Sequence, residues 1–173
     1  MPERSGRAGP AMVVAQKYRI LATVSLLLFL LDQLTKWLVL RSIAYQEVRE
    51  VIPHILNVTN VWNRGAAFSL FSEWSAYLFI VISVVAVGFI VYYFSRIDDA
   101  QKWVVWGLSF ILGGAIGNLL DRARLHHVVD FIDLHFGEHF HWPAFNVADV
   151  AITMGVGFLI YDMFKGDRGK RTG

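Results

Sequence analysis

Two acids and an asparagine stand out as candidate site residues, the acids as reactive groups and the asparagine as a positioning residue. Asn146 and Asp149 lie near the start of FNVADVAITMGVGFLIYDMF (residues 145–164), an apolar segment about as long as a membrane crossing. An ionisable side chain inside such a segment is energetically costly and usually has a function. A second carboxylate, Asp130, precedes this segment in VVDFID (residues 128–133). Asp149 is therefore a candidate reactive group, with Asp130 as its nearest possible partner.

Two neighbouring carboxylates support a defined chemistry. Both cannot ionise comfortably in one site, so one pKa rises and the pair shares a proton. One aspartate can then take a proton from water while the other protonates a carbonyl oxygen. This hydrolysis needs no nucleophilic side chain, no cofactor and no metal. We therefore expect Asp130 and Asp149 to be catalytic, with no cofactor and no metal ligand.

Other apolar segments also carry polar residues. Asp32 and Lys36 are four residues apart and can pair on one helix face. Asn118, Asp121 and Arg122 share a face by the same spacing. Each has a structural interpretation: Asp32 and Lys36 form an ion pair, Asn118 bridges helices, and Arg122 meets Asp121 or lipid phosphate.

A metal site is the main chemical rival. HFGEH (residues 135–139) matches the H-x-x-E-H arrangement of inverted zinc proteases, and His126, His127 and His141 lie nearby. That motif requires a helix to place both imidazoles on one side of the metal. Gly137 interrupts it, and HWP follows directly. We therefore interpret these histidines as surface residues near lipid headgroups.

The composition is that of an integral membrane protein. Of 173 residues, 55% are hydrophobic and 17% are charged, which is too apolar for an ordinary soluble domain. The absence of cysteine excludes disulfides, thiolate metal sites and cysteine nucleophiles. Nothing resembles a basic nucleic-acid-binding face. Four segments approach the length of a crossing helix: residues 18–40, 75–94, 103–120 and 143–164.

The distribution of lysine and arginine predicts the orientation. Ten of these residues fall in the N-terminal tail, the 96–102 loop and the C-terminal tail, and five fall in the other connecting segments. This bias favours both termini in the cytoplasm. We expect the first helix to stay uncleaved rather than to act as a signal peptide. In this topology the polar residues of the first, third and fourth helices fall at the same outer leaflet.

Two segments are predicted to lie outside the membrane. Residues 41–74 contain EVREVI and ILNVTNVWN, which read as short strands, followed by a turn at NRG. They predict a small sheet on the outer surface. Residues 122–142 are polar and histidine-rich, and we expect a loop there with a short interfacial helix. The terminal sequences MPERSGRAGP and KGDRGKRTG are predicted to be disordered.

The chain resembles the lipoprotein signal peptidases, the type II signal peptidases of bacteria. Five ordered blocks carry the resemblance: DQLTK (32–36), NRGAAFS (63–69), GGAIGNLLDR (113–122), VVDFID (128–133) and FNVADVAI (145–152). It implies an all-α integral membrane protein with a four-transmembrane-helix bundle, a small extracytoplasmic β-cradle and a short periplasmic helix. One domain would span residues 1–173 of a multi-pass protein in the bacterial inner membrane, with cytoplasmic termini and the active site near the periplasmic leaflet.

The resemblance also implies a substrate and a set of site residues. The substrate is a prolipoprotein whose lipobox cysteine carries diacylglyceryl, and the bond cut is the one before that cysteine. The implied catalytic pair is Asp130 and Asp149. The implied site-shaping or substrate-binding residues are Asp32, Lys36, Asn63, Gly65, Asn118, Asp121, Arg122 and Asn146. Membrane lipid is an implied partner and globomycin-type peptides are implied inhibitors, whereas nucleic acid is not a partner and a monomer is expected.

Two other classes of function stay open from the residues alone. A small proton-coupled transporter would use the intramembrane carboxylates together with Lys36. The inner halves of all four apolar segments are almost bare of polar residues, which argues against a continuous proton path. A non-catalytic membrane adaptor would tolerate the loss of both acids.

Overall fold

The computed structural model describes residues 10–65, 74–136 and 140–170. The elements in chain order are α1 (Pro10–Ser42), β1 (Val48–Ile52), β2 (Leu56–Asn63), α2 (Trp74–Arg96), α3 (Lys102–Leu125), β3 (Val128–Phe136), β4 (Phe140–His141) and α4 (Val147–Lys170). This is the predicted fold class, a helical bundle with a small sheet. We call the end of the bundle that carries the sheet the sheet end.

Each described helix contains a segment long and apolar enough to cross a membrane: Gln16–Ser42, Tyr77–Arg96, Lys102–Leu125 and Val147–Lys165. These overlap the four predicted segments, but three helix ends lie five or more residues beyond the prediction. α1 begins at Pro10, eight residues before its predicted start. α3 continues five residues past its predicted end, because a helix does not stop where hydropathy falls. α4 continues to Lys170, through much of a tail predicted to be disordered.

The central helix is α3, which packs against α1, α2 and α4. Glycine allows α3 to approach α4 closely. A Cβ built on Gly155 would lie 2.6 Å from the carbonyl oxygen of Gly107, and a Cβ on Gly107 would lie 2.9 Å from the carbonyl oxygen of Gly155. Small residues at such contacts allow helix backbones to pack tightly in lipid.

Gly155→Ala is expected to destabilise the bundle by about 1–3 kcal/mol, because the new methyl group overpacks the α3–α4 contact. Gly157→Ala is the matched control, since nothing lies within 4 Å of a Cβ at that position. Alanine there should be neutral or stabilising. Thermal unfolding of both variants in detergent micelles provides the measurement. Equal unfolding midpoints would contradict the proposed close contact.

The sheet is antiparallel in the order β1-β2-β3-β4. The strands β1 and β2 confirm the two predicted strands. The prediction for residues 122–142 was wrong: their described part forms the end of α3 and then β3 and β4, with no separate short helix. VVDFIDLHF is rich in β-branched and aromatic residues and finds a partner in β2, which favours a strand.

An apolar cluster attaches the sheet to the bundle. It joins the end of α1 to the start of β3 through four buried side chains: Val39, Ile43, Val129 and Phe131. A second attachment leads to α4. The carbonyl of Phe145 accepts hydrogen bonds from the backbone of Phe131 and Ile132, at 3.0 and 2.8 Å. The start of β3 and the start of α4 are therefore held side by side at the sheet end.

Candidate active site

Asn146 and Asp149 form the cap that begins α4. The Asn146 Oδ1 accepts a hydrogen bond from the Asp149 backbone at 3.0 Å, and the Asp149 Oδ2 accepts one from the Asn146 backbone at 3.2 Å. This reciprocal arrangement is a capping box, which satisfies two otherwise unpaired N–H groups. An acid in the first turn is also favoured by the helix dipole. The local sequence NVAD thus fixes where the Asp149 carboxylate sits.

Asp130 is buried on β3 and meets the same asparagine. Its Oδ1 accepts a hydrogen bond from the Asn146 side chain at 2.7 Å, and its Oδ2 accepts one from the Asn63 side chain at 2.9 Å. Asn146 therefore contacts both acids, the side chain of Asp130 and the carboxylate and backbone of Asp149. The structure brings the two predicted acids together around one buried amide.

The environment of Asp130 favours its protonated form. Burial raises the pKa of this carboxyl to about 6, the hydrogen bond from Asn63 opposes the rise, and the negative charge of Asp149 adds to it. A carboxyl with such a pKa is protonated in about half of the molecules at pH 6 and in about a tenth at pH 7, far more often than an ordinary aspartate.

Lys36 is the centre of a buried charged cluster beside the acids. Its ammonium lies 2.8 Å from Asp32 Oδ2, 2.8 Å from Asp121 Oδ2 and 2.9 Å from Asn118 Oδ1. Three acceptors match the three N–H donors of a lysine. The predicted pair of Asp32 and Lys36 is present. The sequence analysis suggested Asp121 as a partner for Arg122, but in the structure Asp121 pairs with Lys36.

Asn118 connects this cluster to Asp149. Because Lys36 donates to its Oδ1, the amide Nδ2 is the group left to face Asp149, and it lies 2.9 Å from Asp149 Oδ1. The side chain of Asn146 also approaches Asn118 Oδ1, at 3.3 Å. Asn118 therefore bridges helices α1, α3 and α4, in agreement with the structural interpretation given to this residue from the sequence.

Asp32 holds α4 in place from α1. Its Oδ1 accepts a hydrogen bond from the backbone of Ala148 at 2.9 Å, in the first turn of α4. Gly117 on α3 leaves room for this carboxylate, because a Cβ there would strike Asp32 Oδ2. One carboxylate therefore pairs with Lys36 and also satisfies a helix N-terminus.

Gln33 is a member of the site that the sequence analysis missed. Its side chain donates to Asp121 Oδ1 at 3.0 Å and lies 3.2 Å from Asp32 Oδ2. Asp121 in turn accepts from the backbone of Val129 at 3.2 Å, which ties the cluster to β3. The signal was available, since Gln33 is a polar residue inside an apolar segment, next to Asp32.

Asn63 is oriented by the turn that follows β2. Its Oδ1 accepts a hydrogen bond from the backbone of Gly65 at 2.8 Å, which directs its Nδ2 toward Asp130. Gly65 has φ +95°, a left-handed conformation that favours glycine. The predicted turn at NRG is therefore present, and residues 66–69 of the NRGAAFS block lie outside the described residues.

Arg122 lies apart from the Lys36 cluster. It donates to the Asn118 carbonyl at 3.4 Å, and its guanidinium carbon is 5.7 Å from the centre of the Phe79 ring on α2. Its charge acts on both Asp130 and Asp149. Arg122 thus supplies a positive charge near the two acids and is held by an aromatic face.

The rival metal motif is only partly described. His135 lies on strand β3, not on a helix, while residues 137–139 of HFGEH fall outside the described residues. Within the described ranges, no group of three or more histidine and acidic side chains is arranged to hold a metal ion. The absence of a catalytic metal stays a prediction.

Comparison with known proteins agrees with this architecture. The family model described as signal peptidase (SPase) II matches residues 24–165. The chain is 41% identical over 153 residues to the lipoprotein signal peptidase of Geobacter metallireducens, covering 87% of this chain and 94% of that protein. It is 44% identical over 155 residues to that of Geobacter sulfurreducens, covering 88% and 96%.

A solved structure has a similar fold. It is described as a bacterial membrane enzyme determined by the in meso method at 1.9 Å resolution, and it superposes with a TM-score of 0.74 at 34% identity. The match covers 84% of this chain and 92% of that one. With its four membrane-spanning helices and a family match over most of its length, this chain is an integral membrane protein that belongs to the signal peptidase II family.

Proposed function

We propose that the protein is an intramembrane aspartyl endopeptidase that removes signal peptides from diacylglyceryl-modified prolipoproteins. It would hydrolyse the peptide bond just before the lipidated cysteine. Membership of the signal peptidase II family supports the cleavage of signal peptides. The observation that carries the aspartyl mechanism is the hydrogen bonding of Asp130 and Asp149 to one shared residue, Asn146.

The two acids take different roles because their surroundings differ. The raised pKa of Asp130 makes it the proton donor. Asp149 is held by hydrogen bonds from the Asn118 side chain and the Asn146 backbone, and with the proton assigned to Asp130 it is the acid left to take a proton from water. Asp149 is therefore the general base.

The reaction proceeds in two proton-balanced steps. Asp149 takes a proton from water as the water oxygen bonds to the scissile carbonyl carbon, and Asp130 gives its proton to the carbonyl oxygen. The resulting tetrahedral diol then collapses: Asp130 recovers a proton from one hydroxyl, Asp149 protonates the nitrogen, and the C–N bond breaks. The products are a signal peptide with a free carboxyl group and a lipidated cysteine with a free amino group. Both acids return to their starting states.

The lipid explains why the site belongs at the membrane surface. A diacylglyceryl group stays in the bilayer, so the adjacent peptide bond is held at the interface. Each buried CH₂ group contributes about 0.8 kcal/mol, so that the peptide itself needs little side-chain recognition. We place the termini in the cytoplasm and the acids at the periplasmic leaflet of the inner membrane, in a monomer that globomycin-type peptides would inhibit at the acid pair.

A cleavage assay on one precursor in lipidated and unlipidated forms tests this function. The purified protein in detergent should release the signal peptide only from the lipidated form, and a chelator should leave the rate unchanged. Equal cleavage of both forms would contradict the assigned substrate, and chelator-sensitive activity would support the metal alternative. A substrate-linked pH change in proteoliposomes, without cleavage, would favour the transporter.

The pH profile should respond to Asn63. Its hydrogen bond to Asp130 lowers the pKa of that carboxyl, so Asn63→Ala should raise the pKa above the value of about 6 in the unaltered protein. The active form needs a protonated Asp130, so activity falls as pH rises through this pKa. The alkaline limb of kcat/KM should therefore move up by about one pH unit.

Asn57→Ala is the matched control for this pH experiment. Asn57 also lies on β2 and donates a hydrogen bond to an acid of β3, Asp133, at 2.9 Å. Its loss should leave the alkaline limb in place. A limb that moves down, or does not move, in Asn63→Ala would show that Asp130 is not the group that must hold the proton.

A further inference from the structure

Exposed apolar side chains gather where the two hairpins of the sheet meet. The His135 backbone donates to the Ile55 carbonyl at 3.0 Å, which places the turn after β1 beside the end of β3. The side chains concerned are 46–64% exposed. They are Ile52, Ile55, Phe136, Phe140 and Trp142, and we call them the apolar tip.

The apolar tip is separate from the candidate active site. Phe136 lies six residues beyond Asp130 on β3, about 20 Å along an extended strand. The start of that strand is buried against the bundle through Val129 and Phe131, whereas its end is exposed. The Phe136 and Phe140 rings instead pair with each other, with centroids 6.1 Å apart.

The apolar tip is continuous with a membrane-spanning helix. The Trp142 backbone N–H donates to the Leu134 carbonyl at 2.7 Å, and Trp142 precedes the α4 span Val147–Lys165 by five residues. It therefore lies close to the level at which α4 enters the bilayer. Tryptophan and other aromatic residues concentrate at that level, where an apolar ring meets the headgroups.

The exposed ion pair near β1 lies at the opposite end of the strand from the apolar tip. The ion pair of Glu47 and Arg49, at 2.7 Å, lies at the start of the strand, away from the apolar tip. Among the described residues, Glu50 is the acid of β1 nearest the tip, and it accepts a hydrogen bond from the His54 backbone at 3.2 Å, so that it has a partner within the turn. Within the described part of the sheet, the exposed ion pair therefore lies at one end, which we call the charged end, and the exposed aromatic pair of Phe136 and Phe140 lies at the apolar tip.

We propose that the apolar tip inserts into the interfacial region of the bilayer leaflet at the sheet end. The sheet is then held at two places, by the bundle near Asp130 and by lipid at its far end. Apolar patches of this kind on a protein surface mark sites of interaction rather than surfaces left to water. The partner is the lipid surface itself, and this inference does not depend on the reaction that the protein catalyses.

The absence of cysteine allows a direct test by spin labelling. Single-cysteine variants Ile52→Cys, Phe136→Cys and Phe140→Cys carry a nitroxide in vesicles of phosphatidylethanolamine and phosphatidylglycerol. Arg49→Cys is the matched control, because Arg49 is exposed on the same sheet at its charged end. The ratio of collision with oxygen to collision with an aqueous nickel chelate should be several-fold higher at the three tip positions than at Arg49.

Two results would overturn the proposal. A nickel accessibility at the tip equal to that at Arg49 would show that water covers it. Low accessibility to both reagents would show a protein contact, and dipolar broadening between labels would identify a second copy of the chain. Ile52 reports from the other hairpin, so it decides the question if a β3 or β4 variant elutes as misfolded protein.

Discussion

Asp149→Asn and Asp130→Asn should each lower the rate of cleavage of a lipidated precursor by at least about 10³-fold. Asparagine keeps the size and planar shape of aspartate but can neither take a proton from water nor return one to the substrate. Each acid acts in both steps of the proposed reaction, so losing either one stops the cycle. Rates should be measured with purified protein under single-turnover conditions, which separates chemistry from product release.

Matched variants on the same elements control for this loss. Asp133→Asn alters another acid of β3, hydrogen-bonded to Asn57, and Asp162→Asn alters another acid of α4. Both should cleave at close to the unaltered rate. The thermal unfolding midpoints of all four variants should stay near that of the unaltered protein. Near-normal activity in Asp130→Asn or Asp149→Asn would reject the assignment of that acid.

Lys36→Met should destabilise the fold by about 3–5 kcal/mol, since it leaves two buried carboxylates without a counter-charge. Asp32 and Asp121 both pair with Lys36 at 2.8 Å, and the Lys36 side chain is only 3% exposed. Activity should fall as well, because Lys36 orients the amide of Asn118 toward Asp149. The thermal unfolding midpoint in detergent and the fraction of protein recovered as a folded species provide the measurements.

A second substitution distinguishes an electrostatic loss from a packing loss. Adding Asp32→Asn to Lys36→Met removes one uncompensated charge while keeping an oxygen that can accept the hydrogen bond from Ala148. This double variant should recover part of the lost stability. Lys102→Met, at the exposed start of α3, should have little effect. An unchanged midpoint in Lys36→Met would show that the buried cluster does not stabilise the fold.

Local sequence was sufficient to predict the helices, and it is the origin of the proposed chemistry. Apolar length predicts the membrane spans, because the bilayer imposes a minimum on any crossing helix. The cost of a carboxylate in such a span singles out Asp149, and the i, i+4 spacing predicts the pair of Asp32 and Lys36. Depth along each helix also predicts that polar residues of α1, α3 and α4 gather at one level. Each of these inferences uses hydropathy, spacing or the distribution of charge along the chain, and none requires knowing which segments pack together.

Pairings between segments were decided only by the tertiary structure. Asp121 has Arg122 beside it in sequence but pairs with Lys36, and Gln33 reaches Asp121 across 88 positions. The strand β3 forms where a loop with a short helix was expected, because β2 offers it a partner. The sequence analysis predicted that Asn146 is a positioning residue. Its contact with both acids required β3 and α4 to lie side by side, and periodicity within one segment carries no information about which segments become neighbours.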